Sequence, residues 1–315
     1  MFDLLTIGRI SVDVYGQEEG AGLQDNQTFS KAVGGSPTNV AIGTARYGHK
    51  VGVITGVGND SLGTYALGEL RKFGVATDFV TQISGRTPIV IAGLKSPDDP
   101  ELIFYRDFDA PDTQMEVSAE MLQATASAKF FWYTGSTLAN PKLRDTVLTL
   151  LSARAGVKSA ENFFDLDYRP SFWVDELTAH QFISKALEFA DVVIGNRKEC
   201  AVATGLGIDS ALSDFATALL NSGARLAIIK DGANGVLVAD SEKTTMIPGI
   251  KIKVRCGLGA GDAFGAGLVH GLLQGWSAEA SVEFANAAGA HVATQLLCSD
   301  AMPDEAQVRS LMSKR

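Results

Sequence analysis

The chain has 315 residues, 46% of them hydrophobic, and a formal net charge of −9 at pH 7. That size and apolar content suffice for one large core, or for a domain with a small companion. The acidic balance argues against nucleic acid or an anionic membrane surface as partner, so an anionic ligand must be held locally by amides and a few cations.

Taken in chain order, residues 4–8 read as a first strand with no basic leader before it, so no secretory signal is expected and a cytoplasmic location is. No run approaches the roughly eighteen apolar residues of a membrane span. Further strands are expected at 51–55, 129–134, 162–167, 192–195 and 226–230, with a hairpin at 235–239 and 244–248. They alternate with amphipathic helical segments, the pattern of an α/β fold whose mostly parallel central sheet has helices on both faces. Ser36 is the expected cap of a helix with Pro37 at its first position and Gly48 at its end; Asn140, Pro141 and Gly156 repeat the device. A helix from Asp60 or Ser61 runs to Gly74, and the last helices are expected at 262–274 and 278–295, with only a tail after them. Segments 9–33 and 87–106 alternate polar and apolar residues without a helix. They read as a second small sheet, solvated on one face, forming a lid within a single 1–315 domain. Residues 96–100 (Ser-Pro-Asp-Asp-Pro) read as a turn.

The three cysteines, Cys200, Cys256 and Cys298, are far apart and fit buried thiols in a reducing compartment. His49, His180, His270 and His291 lack metal-ligand spacing and are expected to be structural.

Two strings carry chemistry. The late one, Gly257 to Asp262 (Gly-Leu-Gly-Ala-Gly-Asp), follows a strand-like run at 250–254 and opens an apolar helix. Small residues at a helix start leave the amides of Gly259, Ala260 and Gly261 able to hold an anion, and Asp262 beside them could orient an alcohol and take its proton. The competing reading is that Asp262 only caps the helix. No Gly-Lys-Ser/Thr P-loop exists, and a dinucleotide fingerprint would need a glycine where Asp262 stands, so neither of those folds applies. The early string, Gly34-Gly35-Ser36-Pro37-Thr38-Asn39, permits close approach to the backbone and places a polar Asn39 on an apolar helix.

With Gly-Gly-x-x-x-Asn-x-Ala early and Gly-Ala-Gly-Asp late, the chain resembles the ribokinase-like (PfkB) carbohydrate kinases along essentially its whole length. The resemblance implies a ribokinase-like fold and ATP-dependent phosphorylation of a sugar hydroxyl with Mg2+. It assigns Asp13, Gly34, Gly35 and Asn39 to the sugar, Asp262 and the 259–261 amides to catalysis, and Glu199 to magnesium. Asn196, Lys230, Gly232, Gly235 and Asn286 go to the nucleotide. Read alone, Asn196 and Glu199 follow an apolar strand and could equally be a helix cap with a solvated first-turn acid. Asn286 could be a buried, satisfied amide.

Phe29 to Pro37, Ile103 to Arg106, Phe164 to Pro170 and Ser299 to Pro303 look most like the 5-dehydro-2-deoxygluconokinases, which phosphorylate the C6 hydroxyl of a keto acid. Arg106 and Arg169 are then candidate carboxylate forks and Lys31 a point charge, unless Arg169 pairs with Asp165 or Asp167 and Arg106 with Asp107. Related alternatives are a 2-dehydro-3-deoxygluconokinase or a fructokinase, and from another class a non-catalytic nucleotide- or sugar-binding regulator. Two departures stand out. Cys256-Gly257-Leu258 replaces the family's usual Asp-Thr-Thr, which makes a monovalent cation doubtful, and Asp231 follows Lys230 where a small residue is usual. The exposed face of the lid could pair with a second copy.

Overall fold

The computed structural model describes residues 1–96, 100–157 and 160–313, so most of the turn expected at 96–100 lies outside the described residues. In chain order the elements begin β1 Leu4–Ile7, β2 Ser11–Gly16, β3 Phe29–Gly34, α1 Ser36–Arg46, β4 Val51–Gly58, α2 Ser61–Lys72, β5 Val80–Ile83, β6 Ile89–Gly93 and β7 Glu101–Tyr105. They continue with α3 Ala119–Ser127, β8 Phe130–Thr134, α4 Pro141–Ser152, β9 Glu161–Asp165, α5 Glu176–Ala186, β10 Val192–Asn196, α6 Arg197–Thr204, α7 Leu212–Asn221 and β11 Leu226–Lys230. The chain closes with β12 Val236–Ala239, β13 Thr244–Ile247, α8 Ala260–Leu273, α9 Ala278–Ala293 and α10 Glu305–Met312. Two compact units result: Met1–Ile7 with Glu116–Gly249, and Gly8–Met115 with Ile250–Arg315.

In the first unit the strands run β13-β12-β11-β10-β9-β8-β1. The pairs from β1 through β11 are parallel, and β12 and β13 close the edge as an antiparallel hairpin. Every residue of β8 is buried, as a sheet covered on both faces requires. Cross-strand neighbours stack on alternate faces: Tyr133 on Phe164 with centroids 4.5 Å apart, and Trp132 on Phe163 at 5.9 Å.

The second unit holds the parallel pair β4–β5 and the small sheet in the order β3-β2-β6-β7. That small sheet is the one expected from segments 9–33 and 87–106. Here α8 and α9 pack closely because small residues line their contact. A Cβ on Gly267 would lie 2.9 Å from Ala285 Cα, and one on Gly271 2.8 Å from Ser281 Cα.

Four expectations need correction. Residues 250–254 alternate in exposure as a strand would, yet among the described residues no strand pairs with them, so they run as an irregular segment. Ser36 is the first residue of α1 rather than its cap; Gly35 takes that position with φ 102°. Helix α4 stops at Ser152, and turns continue from there to Gly156, whose φ of 80° favours glycine. Within those turns the Arg154 guanidinium donates to the carbonyls of Ala128 and Glu161. The tail is not only a tail: Asp304 and Gln307 form a reciprocal capping box that opens α10.

Candidate active site

The second unit brings together Asp13, Gly34, Gly35, Asn39 and Asp262. Gly259 stands at the N-cap position of helix α8 with a φ of 77° that favours glycine, and a Cβ there would lie 2.7 Å from Cys298 Sγ. The incoming loop is anchored where the Arg255 and Cys256 amides both donate to the Ala293 carbonyl. No side chain caps this helix start and Gly261 is exposed, while the Ala260 amide donates to the Gly257 carbonyl at 3.5 Å; an uncapped first turn of this kind can take an anion. Asp262 stands in the first turn but does not cap it. Its Oδ2 accepts from Asn39 Nδ2 at 2.8 Å. Asn39 is 3% exposed, and its buried Oδ1 finds no hydrogen-bond partner among the described residues, so the carboxamide is turned toward Asp262 by its donor end. The resemblance assigned Asn39 to the sugar; in the fold its side-chain amide donates to the Asp262 carboxylate.

Asp13 lies on β2, where period-two geometry puts Ser11 and Tyr15 on the same face. Ser11 Oγ donates to Oδ1 at 2.6 Å, and Tyr15 Oη lies 3.3 Å from Oδ2. Burial pushes the Asp13 carboxyl up to about 6, with Asp262 adding to the rise and Ser11, Arg9 and Tyr15 opposing it. The paired glycines have separate tasks. A Cβ on Gly34 would fall 1.9 Å from Asp13 Oδ2, so glycine there makes room for the carboxylate. Gly35 supplies the positive φ that turns the chain into α1, and a Cβ on it would meet the Arg9 carbonyl oxygen at 2.3 Å.

The candidate carboxylate-reading cations already have protein partners. Arg106 pairs with the fully buried Asp112 at 2.5 Å, not with Asp107, which lies 3.9 Å from Arg86. Asp112 also accepts the Ile10 amide at 3.1 Å. Arg106 still lines a cavity of about 690 Å³ with Arg86, Thr87 and Tyr105. Arg169 pairs with Asp167 at 2.8 Å, and Lys31 sits 4.0 Å over the Tyr65 ring.

In the first unit Asn196 and Glu199 form a reciprocal capping box opening α6. The Glu199 amide donates to Asn196 Oδ1 at 2.9 Å, and the Asn196 amide donates to Glu199 Oε2 at 2.7 Å. The cap reading is therefore realised, but Glu199 is buried rather than solvated. Asn196 and Lys230 are register partners at the ends of β10 and β11. Gly232 (φ 57°) and Gly235 (φ 114°) shape the following turn, and Asp231 there is held by Arg197 Nε at 3.2 Å. Asn286 is half-buried on α9.

Among the described residues no group of three or more His, Cys, Asp or Glu could hold a metal ion. All three thiols are buried and unbridged, as expected. Burial raises the Cys256 thiol, which keeps it neutral. Ser11 and Tyr15 were legible as the period-two neighbours of Asp13; Cys298 and Asp112, distant in sequence from their partners, had no local signal.

An anion-ready helix start with a carboxylate held beside it, next to a second carboxylate on a small sheet, is the equipment of a phosphotransferase acting on an alcohol. Residues 1–305 match the pfkB family of carbohydrate kinases, and the chain belongs to that family. It is 31% identical over 316 residues to a 5-dehydro-2-deoxygluconokinase of Bacillus anthracis, covering 99% of this chain and 95% of that one. A 5-dehydro-2-deoxygluconokinase of Geobacillus thermodenitrificans is 32% identical over 320 residues, covering 98% and 93%. The fold matches that of a ribokinase II of E. coli solved with ATP and Mg2+, with a TM-score of 0.88, 19% identity and full coverage of both chains. The protein is thus a sugar kinase with a ribokinase-like fold.

Proposed function

We propose that the protein phosphorylates the C6 hydroxyl of 5-dehydro-2-deoxygluconate by direct in-line transfer from MgATP. The observation that carries the catalytic part is the Asn39–Asp262 hydrogen bond at the uncapped start of α8. The relatives' names carry the choice of acceptor. Asp262 orients the acceptor hydroxyl, whose oxygen forms a bond to the γ-phosphorus as the β–γ bridging P–O bond breaks. The proton passes to Asp262 and ADP leaves. The amides of Gly259, Ala260 and Gly261 stabilise the charge on the transferring oxygens. Asp13 accepts from a second acceptor hydroxyl, beside Gly34 and Gly35, and Arg106 and Arg169 are the groups assigned to the substrate carboxylate.

Asn196, Lys230, Gly232, Gly235 and Asn286 serve the nucleotide. The lone, backbone-held Glu199 carboxylate suits a hydrated Mg2+ that arrives with ATP and neutralises phosphate charge, rather than a dedicated carboxylate cage. A buried neutral thiol at Cys256 offers a monovalent cation no charge, so the reaction is proposed to run without one. Exposed Phe29 and Tyr105 on the edge strands of the small sheet suit pairing with a second copy. No helix among the described residues is long and apolar enough to cross a membrane, and the enzyme is proposed to act in the cytoplasm.

An ADP-release assay across 5-dehydro-2-deoxygluconate, 2-dehydro-3-deoxygluconate, fructose and ribose, with 31P NMR of the product, tests the assignment. Preference for the first, with a C6 phosphate ester, is the expected result. Preference for a neutral sugar would refute it and favour a second reading, fructokinase, for which one observation speaks: Arg106 and Arg169 both already hold aspartates. Ligand binding without ADP release would instead indicate a regulator.

A further inference from the structure

We propose that Tyr15 and Cys298 are positioning residues, forming a two-link hydrogen-bond relay that fixes the Asp13 carboxylate for the acceptor. Tyr15 is fully buried, and its hydroxyl oxygen lies 2.8 Å from Cys298 Sγ and 3.3 Å from Asp13 Oδ2. One hydroxyl proton cannot serve both neighbours. By position the Tyr15 hydroxyl can donate to either neighbour. But an ionised carboxylate is a stronger acceptor than a thiol sulfur and cannot donate, so the relay places the Tyr15 O–H on Asp13 and the Cys298 S–H on the Tyr15 oxygen. Burial raises both the phenol and the thiol, which keeps each protonated and able to donate at neutral pH.

The rest of the environment makes such a relay useful. Of the polar and charged groups facing Asp13, Ser11 holds the other oxygen, Arg9 favours ionisation and Asp262 opposes it. Tyr15 is therefore the donor that sets the orientation of Oδ2. The far end of the relay is braced on the catalytic loop, because Cys298 Sγ fills the space where a side chain at Gly259 would stand. Tyr15 and Cys298 also share one small buried cluster with Ala32, Ala92, Leu94 and Cys256, whose apolar walls keep water from replacing either link. The relay thus ties the sugar-side carboxylate to the turn that begins α8.

The kinetic half of this inference rests on the proposed kinase activity; the titration half does not. Tyr15→Phe and Cys298→Ala each remove one link at little cost in volume, and Cys298→Ser restores a donor. Asp13 is titrated by 13C-carboxylate NMR in ligand-free protein, with Asp13→Asn for assignment, and KM and kcat are measured for acceptor and ATP. Tyr15→Phe should move the Asp13 midpoint upward and raise the acceptor KM roughly tenfold, the usual effect of losing one hydrogen bond to a charged group. The KM for ATP should hold. Cys298→Ala should move both readouts in the same direction by less, and Cys298→Ser should return them toward wild type. Because Cys298→Ala is read separately, a Tyr15→Phe protein that failed to fold would still leave a decisive variant. An unchanged Asp13 midpoint in the folded variants overturns the relay whatever the acceptor proves to be. A shifted midpoint with unchanged acceptor KM overturns the positioning role.

Discussion

Adding one methyl group at Gly34 should disable the acceptor side of the site without unfolding the protein. The new Cβ would lie 1.9 Å from Asp13 Oδ2 and 2.2 Å from Oδ1, so the carboxylate must swing away and abandon the 2.6 Å bond from Ser11. A hydrogen bond to a charged group contributes about 1.5–3 kcal/mol, so losing it alone predicts a fall in kcat/KM of roughly 10- to 150-fold. Gly34 is not among the glycines with positive φ, so alanine fits its backbone and the fold should persist. Gly35 is the contrast. Alanine there meets a φ of 102° and the Arg9 carbonyl at 2.3 Å, so Gly35→Ala should lose stability as well as activity. Steady-state kinetics for both substrates and thermal melts followed by circular dichroism separate the two cases. Wild-type kcat/KM in Gly34→Ala, or a melt as low as that of Gly35→Ala, would refute the reasoning.

The other perturbations read individual groups. Asn39→Ala removes the donor that fixes Asp262 and should lower kcat about 10- to 100-fold, with the KM for ATP unchanged in the same assay. Asp13→Asn should abolish activity yet raise stability at pH 7.5. A carboxyl raised from 3.8 to about 6 costs the folded state about 3 kcal/mol above pH 6 and nothing below pH 3.8, so urea melts at pH 7.5 should show a gain that vanishes in acid. His270 is 1% exposed, accepts or donates to His49 at 2.8 Å and faces Glu305 and Arg309. Burial lowers it from 6.5 to about 4. The folded state therefore binds fewer protons between those values, and stability present above pH 6.5 is lost as pH falls toward 4, by about 3 kcal/mol. Urea melts of His270→Gln between pH 7 and 4.5 should show a flatter acid-side loss than wild type.

Much of this architecture was legible because burial leaves a periodic trace. Continuous apolar runs such as 226–230 marked strands covered on both faces, and strict alternation without an intervening helix marked the small sheet. The same alternation misled at 250–254, where no pairing partner is offered; periodicity reports exposure, not a ladder. Ser36 looked like a cap because Pro37 follows it, but the chain needs a positive φ one residue earlier, which only Gly35 supplies cheaply. At the site, the glycines and Asp262 were visible as a local string. What Asp262 touches was not, since Asn39 lies 223 residues away, and neither was the choice of Asp112 over Asp107 for Arg106. Partners fixed by tertiary packing leave no mark in the spacing of either residue.

Phosphoryl transfer at the start of α8 is tested most directly by Asp262→Asn in a rapid-quench single-turnover experiment, with acceptor affinity measured by calorimetry on the same preparation. A transfer rate at least a thousandfold below wild type (on the order of 4 kcal/mol), with acceptor affinity within a few fold, is the expected pair of results. Transfer at close to the wild-type rate would mean that the Asn39-held carboxylate is not the group that handles the hydroxyl.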